Sequence, residues 1–384
     1  MTSNAHSLFS EQLKSYFNAE SVHLFARGRV ALYAALRAAG VGEGDEVVMS
    51  GYTCMMVPSA PLALGATPIY VDIDPNTFNA TEQAVGSAVT SRCKAIIVQH
   101  TYGIPAEMEG WLDWARQQGI WIIEDCCHAF GSKINDRLCG AFGDASFFSG
   151  QWNKPFSTGL GGMLVCFSSD LAKRIDDLLE RELLTPSIKR NGYLTFQQWL
   201  HQACVTPTTH GVITRLYRLA VRGGLAIGSS ARLEFEGRLG DDYFMGMAKS
   251  QARLGVRAME RIERNLSARK RNSEIYRQRL APLGFTPLNL PAGYDPVLLR
   301  YPLRVANKPD VLRLAMRQGI EIGSWFESPL HPSKERLEAF HYTWGQCPQS
   351  ERAARETINL PTHENIDEAY IQKVFDFLAK NAIL

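Results

Sequence analysis

The sequence predicts an α/β fold, with a mainly parallel sheet in a large domain and a smaller α/β domain at the C-terminus. Two observations carry this prediction. Short apolar runs alternate with segments of helical spacing up to about residue 170, and strands that are apolar throughout are typical of a sheet covered by helices on both faces. The chain also has 384 residues, more than one small core needs, so two domains are expected.

The order of the elements follows from these patterns. The segment "RVALYAALRAAG" has helical spacing and ends at Gly40, and "MEGWLDWARQQG" is a second amphipathic helix that ends in glycine. The runs that predict strands of the large domain are, in chain order, "DEVVMS", "TPIYVDID", "CKAIIVQH", "IWIIEDC", "DASFFS" and "GGMLVCF". The apolar segment "MMVPSAPLALG" has helical spacing despite its prolines.

The second half of the chain predicts a helix over 171–183 and then one or two long helices that stop at Gly284. After them come a strand in "LLRYPLRV", a helix in "KPDVLRLAMRQG", a strand in "IEIGSWF" and a closing helix in "IDEAYIQKVFDFLAK". We therefore predict a large domain over 1–265 and a small domain over 266–384. The segment 184–240 mixes turns with basic amphipathic stretches and is read as an insertion in the large domain.

Composition excludes several classes of protein. The net charge of +2 gives no reason to expect nucleic acid as a partner. None of the eight cysteines form a C-x-x-C pair, and the adjacent pair Cys126–Cys127 is a poor geometry for a metal, so no metal site is predicted and a reducing cytoplasm is expected. No secretory signal is visible at the N-terminus. The apolar stretch 55–71 is broken by three prolines, so no transmembrane segment is expected.

Candidate functional residues follow from the expected sheet. Ligands of such sheets bind beyond the carboxyl ends of the strands, which directs attention to His100, Asp125 and the loop that carries Lys154. An acid after a buried strand is often only the N-cap of the next helix. The other interpretation of Asp125 is a buried carboxylate that faces a cation, and Lys154 follows the next predicted strand.

A carboxylate and a lysine in one pocket form either a salt bridge or the two ends of a pyridoxal phosphate site. In the second case the lysine bonds to the cofactor and the acid protonates the pyridine nitrogen. The phosphate would need backbone N–H groups at a helix N-terminus together with a hydroxyl or a cation. The stretch "ARGRVALYAAL" offers such a helix start at Gly28, Arg29 and Val30, and Ser149 precedes Lys154 by five residues.

With these residues in place, the sequence resembles the DegT/DnrJ/EryC1/StrS sugar aminotransferases, pyridoxal-phosphate enzymes of fold type I. The resemblance covers nearly the whole chain. It runs through blocks that include "GRVALYAALRAAGVGEGDEV", "GATPIYVDIDPNTFN", "RCKAIIVQHTYGIPAEM", "GIWIIEDCCHAFGS", "GAFGDASFFSGQWNK", "GLGGMLV" and "INLPTHENIDEAYIQKVFDFL". It implies a mainly parallel sheet of seven strands flanked by helices, with the segment 184–240 as an atypical insertion.

The resemblance also implies roles for single residues. Lys154 is similar to the Schiff-base lysine, Asp125 to the partner of the pyridine nitrogen and Ser149 to the phosphate-binding hydroxyl. Arg29 and Val30 stand where the family presents amides to the phosphate. His128 replaces a glutamine near the phenolic oxygen and is expected to contact the cofactor. Cys54 replaces the aromatic residue that stacks on the ring, and Tyr52 is the nearest aromatic substitute.

The implied function is amino transfer, from glutamate, to the keto group of a nucleotide-linked deoxysugar in surface-glycan or secondary-metabolite biosynthesis. A homodimer is expected, because the family builds its sites at the subunit interface. Two alternatives stay open: action on a cyclitol, an amino acid or another keto compound, including loss of water in place of amino transfer, and a non-catalytic regulator that keeps the fold. Outside these residues, His100 and Tyr102 are either strand-end or pocket residues, and Trp325 and Phe326 are expected to pack the small domain.

Overall fold

A computed structural model describes residues 5–383 of the chain, apart from 109, 153, 205–239, 241, 287, 334 and 335. The strands are β1 Ser21–Phe25, β2 Glu46–Ser50, β3 Thr53–Cys54, β4 Thr67–Val71, β5 Cys93–Gln99, β6 Trp121–Asp125, β7 Lys133–Ile134, β8 Arg137–Leu138, β9 Ala145–Gln151, β10 Leu160–Cys166, β11 Tyr294–Asp295, β12 Arg300–Arg304, β13 Leu330–His331 and β14 Thr357–Pro361. All six strands predicted for the large domain are present.

The helices agree with most of the predicted segments. They are α1 Ala5–Phe17, α2 Gly28–Ala38, α3 Ser59–Leu62, α4 Glu82–Ala88, α5 Leu112–Gln117, α6 Ser169–Glu182, α7 Ile188–Cys204, α8 Lys249–Met259, α9 Ile262–Leu280, α10 Lys308–Arg317, α11 Pro348–Glu356 and α12 Glu368–Asn381. The long segment before Gly284 forms two helices, and Gly284 adopts a left-handed φ of 84° after them. This conformation favours glycine and ends the helical run.

The central sheet has seven strands in the order β1–β10–β9–β6–β5–β2–β4. The strands β4, β2, β5, β6 and β9 are parallel, while β10 lies antiparallel between β9 and β1. This confirms the predicted mainly parallel sheet. In the register of β5 and β6, Gln99 lies opposite Asp125, so the polar ends of these two strands meet at one edge of the sheet.

Helices cover both faces of this sheet. The alanine-rich α2 buries Val30, Leu32 and Leu36 against β9 and β10. Its small side chains let the helix axis come close to the strands, and its N-terminus ends beside Ser149 in β9. Side chains of α5 and neighbouring loops, such as Trp111 and Leu112, pack on the other face. The packing of α2 therefore places a helix N-terminus at the edge where Asp125 lies.

The C-terminal part of the chain has its own core, built on the antiparallel pair β12–β14 with α10 and α12. The domain boundary predicted at 265/266 falls inside α9. Leu266, near the start of this helix, is buried in the large-domain core, whereas Tyr276 and Leu280 are buried with the C-terminal helices. The long helix links the two cores, and the boundary between domains stays a prediction.

The predicted strand over 320–326 is wrong. Only Gly323 forms a bridge there, with Asn359 of β14, and residues 324–326 are irregular. The backbone groups of this short stretch bond to side chains of Lys308, Tyr102 and Tyr52 and not to a neighbouring strand. Side-chain partners from distant positions thus replace the ladder that the apolar pattern predicted.

The predicted insertion 184–240 is described only in part. The structure shows α7 within it, and residues 205–239 lie outside the described part of the chain. The inner face of α7 buries Leu194 against Leu160 of β10 and Ala248, so the insertion packs beside the sheet edge. Within the described residues, every helix is too short or too polar to span a lipid bilayer.

Candidate active site

A cavity opens at the carboxyl ends of β5 and β6, bounded by the N-terminus of α2 and by the loop after β9. Among the residues that line it are Arg29, Asp125, His128, Ser149 and Lys154, which the sequence predicted as site residues. Cys54, at the position of the missing ring-stacking aromatic, also lines it. The structure therefore brings together side chains that lie far apart in the chain. A second cleft, between Lys133 and Lys270, lies away from these residues and has none of them in its wall.

Asp125 is the last residue of β6 and its side chain is buried. The N–H of Cys127 donates to its Oδ1 atom at 3.0 Å. Burial raises the pKa of Asp125, although the Cys127 hydrogen bond and the positive charge of Lys154 act in the opposite direction. A carboxylate in this setting gains most from a cationic partner that sits directly against it. The simple N-cap interpretation is not what the geometry shows, because residues 126–132, which directly follow β6 and are all described, form no helix.

His128 presents a defined hydrogen-bond donor to the cavity. The backbone N–H of Tyr102 donates to its Nδ1 atom at 3.2 Å, so the ring proton is assigned to Nε2. Burial lowers the pKa of His128 well below its ordinary value, and the positive charges of Lys154, His331 and Arg300 lower it further. The imidazole is therefore neutral near pH 7 and donates through Nε2 alone.

The N-terminus of α2 and Ser149 form the opposite end of the cavity. A Cβ on Gly28 would lie 3.0 Å from the Cβ of Ser149, and one on Gly162 would lie 2.1 Å from the carbonyl oxygen of Arg27. Both glycines are therefore required for the close approach of α2 to β9 and β10. Helix N-termini attract anions through their N–H groups and dipole, and the Ser149 hydroxyl lies beside this end.

Two predicted cofactor contacts are not brought to the cavity wall. Val30 is buried against the sheet, and its N–H donates to the carbonyl of Arg27 at 3.1 Å. Tyr52 is fully buried and its hydroxyl bonds to that of Tyr102 at 2.7 Å. Its ring packs on Phe326 in the core of the small domain, so Tyr52 does not replace the stacking aromatic. Neither residue is part of the cavity lining.

Cys54 lines the cavity at the position where the stacking aromatic was missing. Burial raises the pKa of its thiol, and the charges of Arg29, Lys154 and Asp125 all act on it. The thiol is therefore protonated, and it lies among the three charged groups of the site. The Arg29 side chain extends to Met56, whose Sδ atom it contacts through Nη1, so its guanidinium also belongs to this wall.

Lys154 is half-buried at the mouth of the cavity. Its backbone N–H donates to the carbonyl of Gln151 at 2.9 Å, which turns the chain after β9. Its Nζ atom lies 5.0 Å from the centre of the Trp325 ring. Trp325 packs against the small-domain core, as expected from the sequence. Its contact with Lys154 was not predicted, because the two residues lie 171 positions apart and no local pattern connects them.

His100 and Tyr102 do not line the cavity but lie behind it. The Ala106 N–H donates to Nδ1 of His100 at 2.9 Å, and His100 Nε2 donates to Glu124 at 2.9 Å. The Glu124 carboxylate also accepts the N–H groups of three residues in the loop before β9, Gly140, Phe142 and Gly143. Cys126 lies close enough to His100 and Glu124 for the three side chains to resemble a metal site. Both oxygens of Glu124 already accept hydrogen bonds, however, so the His100–Glu124 pair holds the loop before β9 against the end of β6, where Asp125 lies.

The donor set fits pyridoxal phosphate. A helix N-terminus and a hydroxyl at one end suit a phosphate, and an amine at the mouth suits an aldehyde. A buried carboxylate suits a pyridinium nitrogen, since a cation placed against it offsets the cost of burying its charge. The fold and the site together define the class of fold-type-I pyridoxal-phosphate enzymes.

Comparison with known proteins agrees with this class. Residues 2–379 match the DegT/DnrJ/EryC1/StrS aminotransferase family, so the chain belongs to that family and is a pyridoxal-phosphate-dependent aminotransferase. It is 28% identical to the UDP-N-acetyl-3-dehydro-alpha-D-glucosamine 3-aminotransferase of Acidithiobacillus ferrooxidans, over 91% of this chain and 81% of the relative. It is also 28% identical to the pleiotropic regulatory protein of Geobacillus stearothermophilus, over 92% and 82%.

A solved structure shows the same fold. A protein of Streptococcus pneumoniae, determined in its PLP form, superposes with a TM-score of 0.76 over 99% of this chain and 91% of that chain, at 19% identity. This confirms the predicted fold.

Proposed function

We propose that this enzyme transfers an amino group from glutamate to the keto group of a nucleotide-linked deoxysugar. The observation that carries the proposal is the convergence of Lys154 and Asp125 on one cavity whose far end is formed by Ser149 and the start of α2. The A. ferrooxidans relative, whose name describes a nucleotide-linked 3-keto sugar as substrate, supports this choice of acceptor.

Pyridoxal phosphate, when bound, supplies an aldehyde that accepts the amino group and a ring that stabilises negative charge on the neighbouring carbon. Asp125 keeps the ring nitrogen protonated, which maintains this capacity. The carboxylate remains ionised at neutral pH because the cation placed against it offsets the cost of burial. Its position at the end of a central strand, with Oδ1 held by Cys127, fixes its direction.

Lys154 is the residue that moves protons. Its Nζ, as a free amine, would take the proton from the α-carbon of the amino donor and carry it to the adjacent carbon. An amine would be a strong enough base, because the bound cofactor would make the α-carbon more acidic. The same atom holds the cofactor between turnovers, which explains why one long, half-buried cation stands at the mouth of the cavity.

The remaining residues bind and orient. Ser149 and the N–H groups at the start of α2 hold the phosphate, with the Arg29 guanidinium adding positive charge in the same wall. His128 would donate from Nε2 to the phenolic oxygen of a bound cofactor, because its Nδ1 already accepts the Tyr102 N–H. Ser149 and the start of α2 at one end and His128 at the other would thus hold the cofactor beside Lys154.

We place the enzyme in the cytoplasm, in surface-glycan or secondary-metabolite biosynthesis, and as a homodimer. The supporting facts are the family membership and the free cysteines of the described residues. Light scattering of the purified chain tests the dimer, since a monomer at micromolar concentration contradicts it.

The proposal is tested by cofactor capture and a half-reaction. Purified protein incubated with pyridoxal phosphate should absorb at the edge of the visible range. Borohydride should reduce the bond between cofactor and protein, so that the cofactor stays attached to the peptide that contains Lys154. Glutamate alone should then convert the bound cofactor to its amino form with release of 2-oxoglutarate. The K154R variant is the matched control, because it keeps the charge but cannot capture the aldehyde. A chain that binds no cofactor, or holds it unchanged with glutamate, is the regulator suggested by the Geobacillus relative.

A further inference from the structure

The segment 324–326 carries an indole into the site, although it has no strand or helix of its own. The ammonium of the buried Lys308 donates to the carbonyl oxygens of Ser324 at 3.1 Å and Phe326 at 2.8 Å, and to that of Ala354 at 2.7 Å. All three protons of the ammonium are thus directed at backbone oxygens. One buried side chain fixes both residues that flank Trp325.

The backbone of Trp325 and Phe326 is also held from the large domain. The hydroxyl of Tyr102 donates to the carbonyl oxygen of Trp325 at 2.5 Å, and the N–H of Phe326 donates to the hydroxyl of Tyr52 at 3.3 Å. Tyr102 itself has a left-handed φ of 58°, a conformation that non-glycine residues adopt at a cost and that is common at functional sites. Four side-chain hydrogen bonds therefore define where the Trp325 indole lies.

The indole reaches the reacting amine. Its ring centre lies 5.0 Å from Lys154 Nζ, within the range of a cation–π interaction. Its plane is stacked on the His128 imidazole at 5.4 Å and 13°. The Arg300 guanidinium lies 5.6 Å from the same ring. Trp325 is therefore in contact with two residues of the proposed machinery from the large domain.

Core packing accounts for only part of this placement, since Trp325 also packs against the small-domain core. Phe326, the next residue, is 2% exposed and fills the small-domain core beside Tyr52. Trp325 is less buried than Phe326, and its ring lies against Lys154, His128 and Arg300. Packing on the core does not require the four hydrogen bonds that fix this backbone, and such support is typical of a side chain positioned in a site.

We propose that Trp325 is a positioning residue that acts through Lys154, an inference that rests on the proposed function. When the Lys154 amine takes the proton from the α-carbon of the amino donor, it becomes an ammonium on a flexible stem of four carbons. The indole face holds that ammonium beside the reacting carbons through its π electrons. The proton is then returned to the neighbouring carbon before the side chain reorients towards solvent.

The test uses the full-length holoenzyme and three variants. W325L removes the π face, W325F keeps a smaller one, and W344F is the control, because Trp344 is 52% exposed and contacts only Tyr342 among the ring pairs of the described residues. Single turnovers with glutamate and with α-deuterated glutamate are followed by absorbance. We expect W325L to slow the turnover about tenfold, with a larger isotope effect and a KM within twofold. W325F should recover part of the rate, and W344F should match the wild type.

A second readout does not depend on activity. Because the Trp325 ring lies so close to Nζ, loading with pyridoxal phosphate should quench its emission, and W325F should show a smaller loss of fluorescence on loading than the wild type or W344F. An unchanged rate and isotope effect in W325L, or a change in KM alone, overturns the role of Trp325. If the wild-type chain captures no cofactor at Lys154, the proposed function itself fails, so the two failures are distinguishable.

Discussion

The backbone N–H of Tyr102 donates to Nδ1 of His128 at 3.2 Å, which leaves Nε2 as the only donor of a neutral imidazole. The same tyrosine donates its hydroxyl to the carbonyl of Trp325. One residue from the loop after β5 therefore determines the tautomer of one site residue and the position of another. The Nε2–H of His128 is therefore the group that a ligand in the cavity can accept from.

His128 is expected to act as a donor that does not titrate near neutral pH. H128Q keeps an N–H donor and should bind pyridoxal phosphate within about threefold of the wild type, whereas H128L should weaken binding about tenfold, the value of one hydrogen bond to a charged oxygen. Because the pKa of His128 is held well below its ordinary value, the affinity of the wild type for pyridoxal phosphate should depend on pH between 8 and 6 in the same way as that of H128Q. A change in affinity seen only in the wild type would show that the imidazole becomes protonated in this range.

Asp125 is expected to reduce stability in the absence of cofactor. Burial raises its pKa, so the native chain binds a proton more readily than the unfolded chain, and the ionised carboxylate costs folding free energy at neutral pH. D125N should therefore raise the Tm of the cofactor-free protein at pH 7.5. The difference should narrow as the pH falls through the raised pKa of the native carboxyl, and it should be smallest below about pH 4, where the carboxyl becomes protonated in the unfolded state as well.

The control for this prediction is D113N, at a position whose side chain is 89% exposed, and it should leave the Tm nearly unchanged at each pH. D125N should also fail to retain pyridoxal phosphate. A lower Tm for D125N at pH 7.5 would mean that the pairing with Lys154 outweighs the cost of burial, which is the opposite of the sign expected here.

Most of the large domain and the two ends of the site were predictable from local patterns. The strand-end rule for parallel sheets was enough to associate Asp125 with the Lys154 loop, because neighbouring parallel strands present their carboxyl ends at one edge. The helix start at Gly28 was predictable from the helical spacing of the segment that follows it, although strand β1 before it was not predicted. These inferences need only periodicity and chain order.

The other features depend on contacts between distant parts of the chain. Tyr52 stands two residues from Cys54, and only its packing in the small-domain core, beside Phe326, shows that it does not line the cavity itself. The apolar pattern over 320–326 predicts a strand, but Lys308 and Tyr102 provide the partners of that backbone. Neither residue carries a local signal that it will bond there, so the placement of Trp325 could not be read from the sequence.

Gly162 is expected to tolerate no side chain. A Cβ at this position would lie 2.1 Å from the carbonyl oxygen of Arg27 and 2.5 Å from the N of Gly28, both backbone atoms at the start of α2. G162A should lower stability by about 2 kcal/mol or more and weaken cofactor binding, because α2 must move away from Ser149. The control is G86A in α4, where nothing lies within 4 Å and helix propensity predicts a gain of up to about 1 kcal/mol. Chemical denaturation of both variants measures the contrast, and equal stabilities would contradict it.

Lys308 is expected to matter for stability and for the site together. K308M removes a buried ammonium and leaves the carbonyl oxygens of Ser324, Phe326 and Ala354 without this donor, which should cost about 3 kcal/mol of unfolding free energy. The exposed Lys373 of α12 provides the control, since K373M should change stability by less than about 0.5 kcal/mol. In folded K308M at low temperature, the quenching of Trp325 by bound cofactor should weaken, because the segment that carries the indole has lost its anchor. Retention of full quenching would show that Tyr102 and Tyr52 hold the segment without Lys308.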